Sequence, residues 1–310
     1  MQTDSLFHFV SYLAAHKLRF KFADRPRLVS AWSRGLRPPS PDFFRELPEF
    51  EIWRERAASF WEKGAFELAR EAERGTRFLT PEDPEFPETL KSLEEPPWVL
   101  SVRGSIEALS APSLSVVGAR EPLPGSLAWM QEHLGFVLKR APLALASGGA
   151  RGVDQMAHRL CLRYERPTLI FVPSGLGALY PENLKDWVLP VLECSGALVS
   201  EFHPRAPMRK WHFQMRNRLI AGVSRGTLVV EARHRSGTWL TAQLALDLPR
   251  PLGVLPGSAI EPRQSGNVLL INAGATPICD AQDLVMFLKG PCQRPTEFSS
   301  SLGASFDVAH

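Results

Sequence analysis

After Pro112 the sequence alternates short apolar runs with amphipathic helical segments, and this alternation constrains the fold more than any other feature. The runs are Leu114–Val117, Leu143–Ala146, Thr168–Val172, Ala197–Val199, Leu228–Val230 and Leu252–Leu255. A strand that is apolar along its whole length is buried on both faces, as in a parallel sheet covered by helices. The sequence therefore predicts an α/β fold with a doubly wound, mostly parallel sheet.

The rest of the chain divides around this sheet. Helical periodicity in the first 80 or so residues predicts a small N-terminal helical domain over residues 1–85, with segments around Leu6–Ala14 and Ile52–Trp61. Pro-rich punctuation at Thr80–Pro87 marks its end, so the sheet domain is expected over residues 86–290. Residues 291–310 form a polar tail that we expect to be disordered.

Composition excludes several classes of protein. The 310 residues include 36 basic and 33 acidic side chains, a net charge of +3 that does not by itself indicate a nucleic-acid partner. The four cysteines are far apart in sequence, which favours reduced thiols and argues against a zinc ribbon. The sequence contains neither a signal peptide nor an apolar run of membrane-spanning length. We therefore expect a soluble cytoplasmic protein with no metal and no membrane partner.

Familiar nucleotide and hydrolase motifs are missing. No Gly-x-Gly-x-x-Gly joins the first strand to its helix, which disfavours nicotinamide and flavin cofactors. No Gly-Lys-Ser or Gly-Lys-Thr is present, so a P-loop ATPase is not indicated. The spacing Gly-x-Ser-x-Gly occurs at Gly222-Val223-Ser224-Arg225-Gly226, but this segment precedes the apolar run Leu228–Val230 instead of following a strand, so it is not a nucleophile elbow. His-Glu-x-x-His is absent. We expect no cofactor and no catalytic residues.

Ligands of open parallel sheets bind at the carboxyl ends of the strands, and two of these ends carry glycine-rich loops. The first strand leads into Gly118-Ala119-Arg120. The second leads into Ser147-Gly148-Gly149-Ala150-Arg151-Gly152 and then a periodic helix, a pattern typical of an anion site. Two plainer interpretations stay open: a solvated Arg120, and a tight turn in which Asp154 caps the helix without any ligand.

Basic charge is concentrated between Arg209 and Arg235. The basic residues there are Arg209, Lys210, Arg216, Arg218, Arg225, Arg233 and Arg235, which against the single acid Glu231 give +6 in a chain of +3. Trp211, Phe213 and Trp239 are interleaved with them, a combination that suits phosphates and stacked bases. We expect Arg216 and Arg218, which flank Asn217, to contact phosphate; the alternative is a solvated helix face.

Two further features leave alternatives open. Ser236-Gly237-Thr238 begins the next helix, so it is either another anion site or simply a helix cap formed by Ser236. Glu201 and Glu231 follow strands, where an enzyme acting on a nucleotide sugar would need a carboxylate. We expect Glu231 instead to order Arg233 and Arg235 through ion pairs. A phosphoribohydrolase-like enzyme and a sensor of a small nucleotide are thus the alternatives to polyanion binding.

Taken in order, the motifs resemble the DNA-processing protein A family (DprA, also called Smf). The resembling segments include Phe86-Pro87, Val116-Val117-Gly118-Ala119-Arg120, Ser147 to Asp154, Tyr180-Pro181, Phe213-x-x-Arg216-Asn217-Arg218-Leu219-Ile220-Ala221-Gly222, Val230-Glu231-Ala232, Ser236-Gly237-Thr238 and Gly266-Asn267. They cover about residues 86 to 285. Many family members continue into a C-terminal winged-helix-like domain, whereas this sequence ends in the polar tail.

This resemblance implies an extended Rossmann-like domain that binds single-stranded DNA without cutting it. It also implies a homodimer and a role in loading RecA recombinase onto DNA during natural transformation. By position, the residues expected to bind phosphates and hold bases are Arg120, Ser147, Gly148, Gly149, Arg151, Lys210, Arg216, Asn217 and Arg218. Gly118, Phe213, Ser236, Gly237 and Thr238 complete the predicted site.

Overall fold

The computed structural model describes residues 41–48, 66–258 and 260–290, together with residues 27, 30, 31 and 34. Within the predicted N-terminal helical domain, helix α1 spans Pro41–Glu46 and residues 66–73 form helix α2. The other helical segments predicted there lie outside the described residues, as does the predicted polar tail. A separate helical domain over residues 1–85 therefore stays a prediction.

A mostly parallel sheet organises the described residues that follow. Its strands are β1 Thr76–Leu79, β2 Leu100–Gly104, β3 Ser113–Gly118, β4 Ala144–Ser147, β5 Thr168–Phe171, β6 Ala197–Ser200, β7 Thr227–Glu231, β8 Leu252–Val254 and β9 Thr276–Pro277. Their order is β1-β2-β6-β5-β4-β3-β7-β8-β9, and β3 to β9 run parallel to one another. The six apolar runs correspond to β3 through β8, so the predicted α/β fold is confirmed.

Helices cover both faces of this sheet. They are α3 Glu88–Lys91, α4 Glu107–Ser110, α5 Pro124–Trp129, α6 Gly135–Arg140, α7 Val153–Arg163, α8 Val188–Glu193, α9 His212–Val223, α10 Gly237–Leu246, α11 Ser265–Asn272 and α12 Ala281–Lys289. A π-helical turn, Met130–Leu134, joins α5 to α6, and 3₁₀ turns span Glu182–Trp187 and Pro262–Gln264. Among the described helices, none combines the length and the apolar character that crossing a bilayer requires.

Two large apolar cores lie on opposite faces of the sheet, and a smaller apolar cluster includes Ile170 of β5, Leu198 of β6 and Val191 of α8. Leu114 and Val116 of β3 enter the core formed with α6, α7 and α12, whereas Val117 enters the core formed with α9, α10 and α11. Successive side chains of a strand point to opposite faces, so a strand between two cores is buried on both faces, as β3 is from Ser113 to Val117. Helix α12, which buries Leu284 and Phe287, belongs to the first core.

An antiparallel edge, which the sequence did not predict, extends the sheet. Strand β2 pairs antiparallel with β6, and β1 pairs antiparallel with β2, with Thr76 opposite Arg103. Strand β1 reads Thr-Arg-Phe-Leu and has only its two ends buried, so it lacks the continuous apolar run of the parallel strands. The sheet consequently begins before the boundary predicted between residues 85 and 86.

The chain reverses its winding direction at β3, which lies between β4 and β7. The helices that follow β3 pack on one face of the sheet, and α10, which follows β7, packs on the other. The loops after β3 and β7 therefore diverge and leave a crevice at the carboxyl ends of these strands, where open α/β sheets bind ligands. This arrangement is the extended Rossmann-like architecture that the resemblance implied.

Candidate nucleic-acid interface

Three of the predicted cationic residues are exposed at the carboxyl ends of the strands. Arg120 follows β3, Arg151 lies in the loop between β4 and α7, and Lys210 precedes α9. Arg151 forms a loose ion pair with Glu121 at 3.3 Å, in which both side chains remain exposed. Exposed ion pairs of this kind contribute little to stability and exchange readily with other partners.

An aromatic pair lies among these cations. The ring of Phe213, in the first turn of α9, has the guanidinium of Arg120 at 5.5 Å from its centroid. The ring of Tyr180 meets Phe213 edge-on at 6.1 Å, and Tyr180 is 38% exposed. The exposed cations Arg120, Arg151 and Lys210, with the rings of Phe213 and Tyr180, are called the strand-end surface below. Tyr180 belongs to the segment Tyr180-Pro181 that resembles the family, but it was not among the predicted site residues.

Arg216 does not lie on this surface. It is only 5% exposed, and its Nη1 donates to the carbonyl oxygens of Gly148 and Phe171, each at 2.7 Å. Its guanidinium is also 5.9 Å from the centroid of Phe213. Burial lowers the pKa of Arg216 to about 10, although the nearby Asp154 opposes the shift. This position differs from the phosphate contact expected from the sequence, because the guanidinium points inward to the ends of β4 and β5.

Arg218 is also directed into the protein. Its side chain, 13% exposed, pairs with Glu201, whose side chain is 8% exposed at the end of β6. Burial raises the pKa of Glu201, and the charge of Arg218 opposes that rise. The interpretation of Arg216 and Arg218 as a solvated helix face is therefore wrong, and the expected exposure of Arg218 to phosphate is not observed either. Asn217, between them, is partly exposed.

The glycine loop after β4 is closely packed against its surroundings. Ser147 is buried and its hydroxyl donates to the carbonyl of Val116 at 2.6 Å, so the side chain binds β3. Gly149 adopts a φ of 72°, a conformation that favours glycine. Gly148 lies directly under the guanidinium of Arg216, and a Cβ built on it would overlap Nη1. Residue 148 must therefore be a glycine because the Arg216 side chain occupies the space beside it.

Asp154 contacts the same loop from the first turn of α7. Its Oδ2 accepts the backbone N–H of Ala150 at 3.3 Å. Ala150 precedes the helix, and no side chain forms a cap hydrogen bond at its start, so the expected capping of the helix by Asp154 is not observed. The residue is 8% exposed. Burial raises the pKa of Asp154, while the charge of Arg216 and the hydrogen bond from the N–H of Ala150 oppose that rise. Two buried side chains of opposite charge, those of Asp154 and Arg216, therefore contact the same loop.

The start of α10 is joined to the end of β3. The hydroxyl of Ser236 accepts the N–H of Trp239 at 3.1 Å, so Ser236 is a helix cap, one of the two alternatives. The hydroxyl of Thr238 donates to the carbonyl of Gly118 at 3.0 Å, and Gly237 is exposed. The predicted residues Gly118 and Thr238 are thus brought together beside the crevice.

The predicted role of Glu231 is wrong. Its Oε2 accepts the N–H of Leu123 at 2.9 Å and the hydroxyl of Ser126 at 2.7 Å, and Glu231 is fully buried. The carboxylate therefore fixes the start of α5 and does not pair with Arg233 or Arg235, which are exposed. The error arose because closeness in sequence to Arg233 and Arg235 does not determine the face to which Glu231 points, and its side chain lies on the face that carries α5.

The doubly wound sheet makes this a Rossmann-like protein. The cations and aromatic rings at the carboxyl ends of its strands form a surface that suits a polyanion with ring systems. The chain belongs to the DNA recombination-mediator protein A family, whose model matches residues 77–289.

Individual relatives agree with this assignment. The chain is 33% identical to DNA processing protein DprA of Bacillus subtilis over 70% of its own length and 73% of that protein. It is 34% identical to protein Smf of Escherichia coli over 69% of its length, and spans 57% of that longer chain. The fold resembles DNA processing protein A from Helicobacter pylori, with a TM-score of 0.57, 28% identity and coverage of 67% and 94%. That structure was described for its single-stranded DNA binding mode.

Proposed function

We propose that this chain binds single-stranded DNA through the strand-end surface and does not cut it. The observation that carries the proposal is the arrangement of Phe213, with the Arg120 guanidinium 5.5 Å from its centroid and the exposed ring of Tyr180 at its edge. Rings stack on bases irrespective of sequence, and arginines beside them neutralise the phosphates that link those bases. The binding mode described for the Helicobacter pylori relative supports the same ligand.

The proposed contacts divide into two kinds. Arg120, Arg151 and Lys210 are exposed and carry full charges, so they contact phosphates. Phe213 and Tyr180 offer ring faces and edges to unstacked bases. Arg216 and Arg218 are directed inward, and the other predicted residues shape the surface: Gly118, Ser147, Gly148, Gly149, Asn217, Ser236, Gly237 and Thr238. Such contacts recognise the backbone and the base faces, so little sequence preference is expected.

The buried carboxylates favour binding over catalysis. An enzyme acting on a nucleotide sugar needs a carboxylate free to reach its substrate. Glu231 is engaged with Leu123 and Ser126, and Glu201 with Arg218. Neither of the two carboxylates considered for that role faces the strand-end surface, which supports a protein that binds DNA without transforming it.

Family membership supports two further parts of the proposal. The protein acts in the cytoplasm as a homodimer, and it helps load RecA recombinase onto single-stranded DNA that enters during natural transformation. Sedimentation at tens of micromolar tests the first part, because a monomer mass independent of concentration would contradict it. Displacement of a single-strand binding protein by RecA, measured with and without this chain, tests the second.

Titration with fluorescent single-stranded and double-stranded DNA of equal length tests the central proposal. We expect the single strand to bind more tightly, because bases held in a duplex cannot stack on Phe213 or Tyr180. Equal affinity for a blunt duplex would overturn it. A mononucleotide competitor distinguishes a sensor from a polymer-binding protein: complete displacement of the oligonucleotide at modest concentration would favour the sensor.

A further inference from the structure

Helix α9 is attached to the strand ends by polar contacts along one side. Nδ1 of His212 lies 2.9 Å from the carbonyl oxygen of Pro173, which follows β5. One turn later, Nη1 of Arg216 donates to the carbonyls of Phe171 and Gly148. Residues four apart share a helix face, so His212 and Arg216 act on the same side of α9. These contacts fix the helix that carries Phe213 relative to the ends of β4 and β5.

The contact of Arg216 with Gly148 connects this helix to the glycine loop. The guanidinium occupies the space that a side chain on Gly148 would fill. From the other side, the carboxylate of Asp154 accepts the N–H of Ala150, two residues further along the loop. A carbonyl and an N–H of the same loop are therefore held by two buried side chains of opposite charge, which limits the positions that the loop can adopt.

Phe213 depends on the same arginine. It lies three residues before Arg216 on α9, and the guanidinium is 5.9 Å from its ring centroid, close to the 5.5 Å separation from Arg120. Arg120 is exposed on the loop after β3, whereas Arg216 is buried. Of the two cations near the ring, only Arg120 is open to a phosphate.

We propose that Arg216 is a positioning residue for DNA binding: held against the carbonyls of Gly148 and Phe171, it sets the Phe213 ring relative to the glycine loop without contacting phosphate. This inference rests on the proposed function. It replaces the expectation that Arg216 neutralises a phosphate. Arg216 and Asp154, which both contact the glycine loop, then act together to orient the strand-end surface.

Salt dependence separates positioning from direct contact. Each phosphate contact contributes about 0.7 to the slope of log affinity against log salt on a single strand. The experiment compares Arg216→Met, which keeps length and loses charge, with Arg120→Met as the matched variant of the exposed arginine. All proteins are titrated with fluorescent single-stranded DNA at a temperature where denaturation curves show them to be folded.

For Arg216→Met we expect affinity to fall about tenfold while the salt slope stays at the wild-type value. For Arg120→Met we expect the slope to flatten by about 0.7. Arg216→Lys should recover most of the affinity, because both hydrogen bonds come from one nitrogen and an ammonium has donors for two carbonyls. A purely structural role would leave the affinity of the folded Arg216→Met protein unchanged.

Gly148→Ala gives an independent test, because its methyl group displaces the guanidinium. We expect it to reproduce the loss of affinity seen in Arg216→Met, and the double variant to bind no more weakly than either single variant. A slope flattened by about 0.7 in Arg216→Met, or wild-type affinity in that variant, would overturn the inference. If the wild-type protein itself fails to bind single-stranded DNA, the proposed function is what fails.

Discussion

The guanidinium of Arg216 lies where a side chain on Gly148 would be, with Nη1 2.7 Å from the Gly148 carbonyl oxygen. Although the two residues are far apart in sequence, the position of the Arg216 guanidinium leaves no space for a side chain on Gly148. The glycine that resembles part of a phosphate-binding loop is therefore constrained from inside the protein.

Substitution of Gly148 should destabilise the fold. The Cβ of Gly148→Ala meets the Arg216 guanidinium, and we expect a loss of about 1–3 kcal/mol in the free energy of unfolding, typical of overpacking. Urea denaturation measures this loss. Gly237→Ala is the matched control: its Cβ would meet nothing within 4 Å, so stability should be unchanged or slightly increased. Equal stability of the two variants would contradict the described packing.

The exposed cations should account for the salt dependence of DNA binding. Replacing Arg120, Arg151 and Lys210 together by Ala should flatten the slope of log affinity against log salt by roughly 0.7 × 3, or about 2.1. Thermal stability should change little, because exposed substitutions shift stability by less than about 0.5 kcal/mol. Lys139→Ala is the control, since Lys139 is exposed at the end of α6, shortly before the amino end of β4 and away from the carboxyl ends of the strands. A slope unaffected by the triple change would place the DNA elsewhere.

Phe213 should contribute affinity without contributing to the salt slope. Loss of one base stack in Phe213→Ala should weaken binding by about 1–3 kcal/mol, roughly 5- to 150-fold. Because no charge is removed, the slope should equal that of the wild type. Phe213→Trp should retain binding, and the same fluorescence titrations measure all three proteins. Undiminished affinity of the alanine variant would exclude stacking at this ring.

Arg218→Ala should destabilise the protein far more than loss of an exposed arginine. The substitution leaves Glu201 buried without its partner, and breaking a buried pair costs about 3–5 kcal/mol. Removing both charges in Glu201→Gln/Arg218→Met should restore part of that loss in urea denaturation. If Arg218→Ala unfolds at the wild-type urea concentration, the pair is not a structural contact.

Buried histidines should make the protein less stable in mild acid. Burial lowers the pKa of His158 to about 3 and that of His203 to about 4, with Arg216 and Arg205 adding to the respective shifts. Both are lowered below the unfolded value of about 6.5, so their stabilisation is present above that pH and is lost as the pH falls towards 4. Each contributes a slope of up to about 1.36 kcal/mol per pH unit.

The raised pKa values of Asp154 and Glu201 act in the opposite direction, so the informative quantity is a difference between proteins. His158→Gln should reduce the dependence of unfolding free energy on pH between 6 and 4 by about one proton. Identical pH profiles for His158→Gln and the wild type would show that His158 is protonated in the folded state.

Local patterns in the sequence predicted the parallel part of the fold because burial on two faces leaves continuous apolar runs such as Leu114–Val117. The antiparallel edge was missed because Thr76–Leu79 has no such run, and its pairing with β2 depends on residues distant in sequence. Glycine-rich turns located the strand ends correctly for the same local reason, since a turn is specified by neighbouring residues.

The orientation of the arginines could not be predicted in this way. An arginine on a basic helix looks the same in sequence whether it faces solvent or a buried partner. Arg218 faces Glu201, and Arg216 faces the carbonyls of Gly148 and Phe171, contacts that only the assembled sheet creates. The sequence likewise does not distinguish a glycine that packs against a buried guanidinium from a glycine that packs against a phosphate.

The pairing of β1 with β2 also determines which shortened fragments of this protein keep the sheet edge covered. A fragment that starts at residue 86 keeps every parallel strand but removes β1, leaving the outer N–H and C=O groups of β2 open along the sheet. Open edges of this kind recruit other chains and promote aggregation. Expression of the sheet on its own therefore calls for a fragment that retains residues 76–79, together with helix α2, whose Glu71 binds Arg103 of β2.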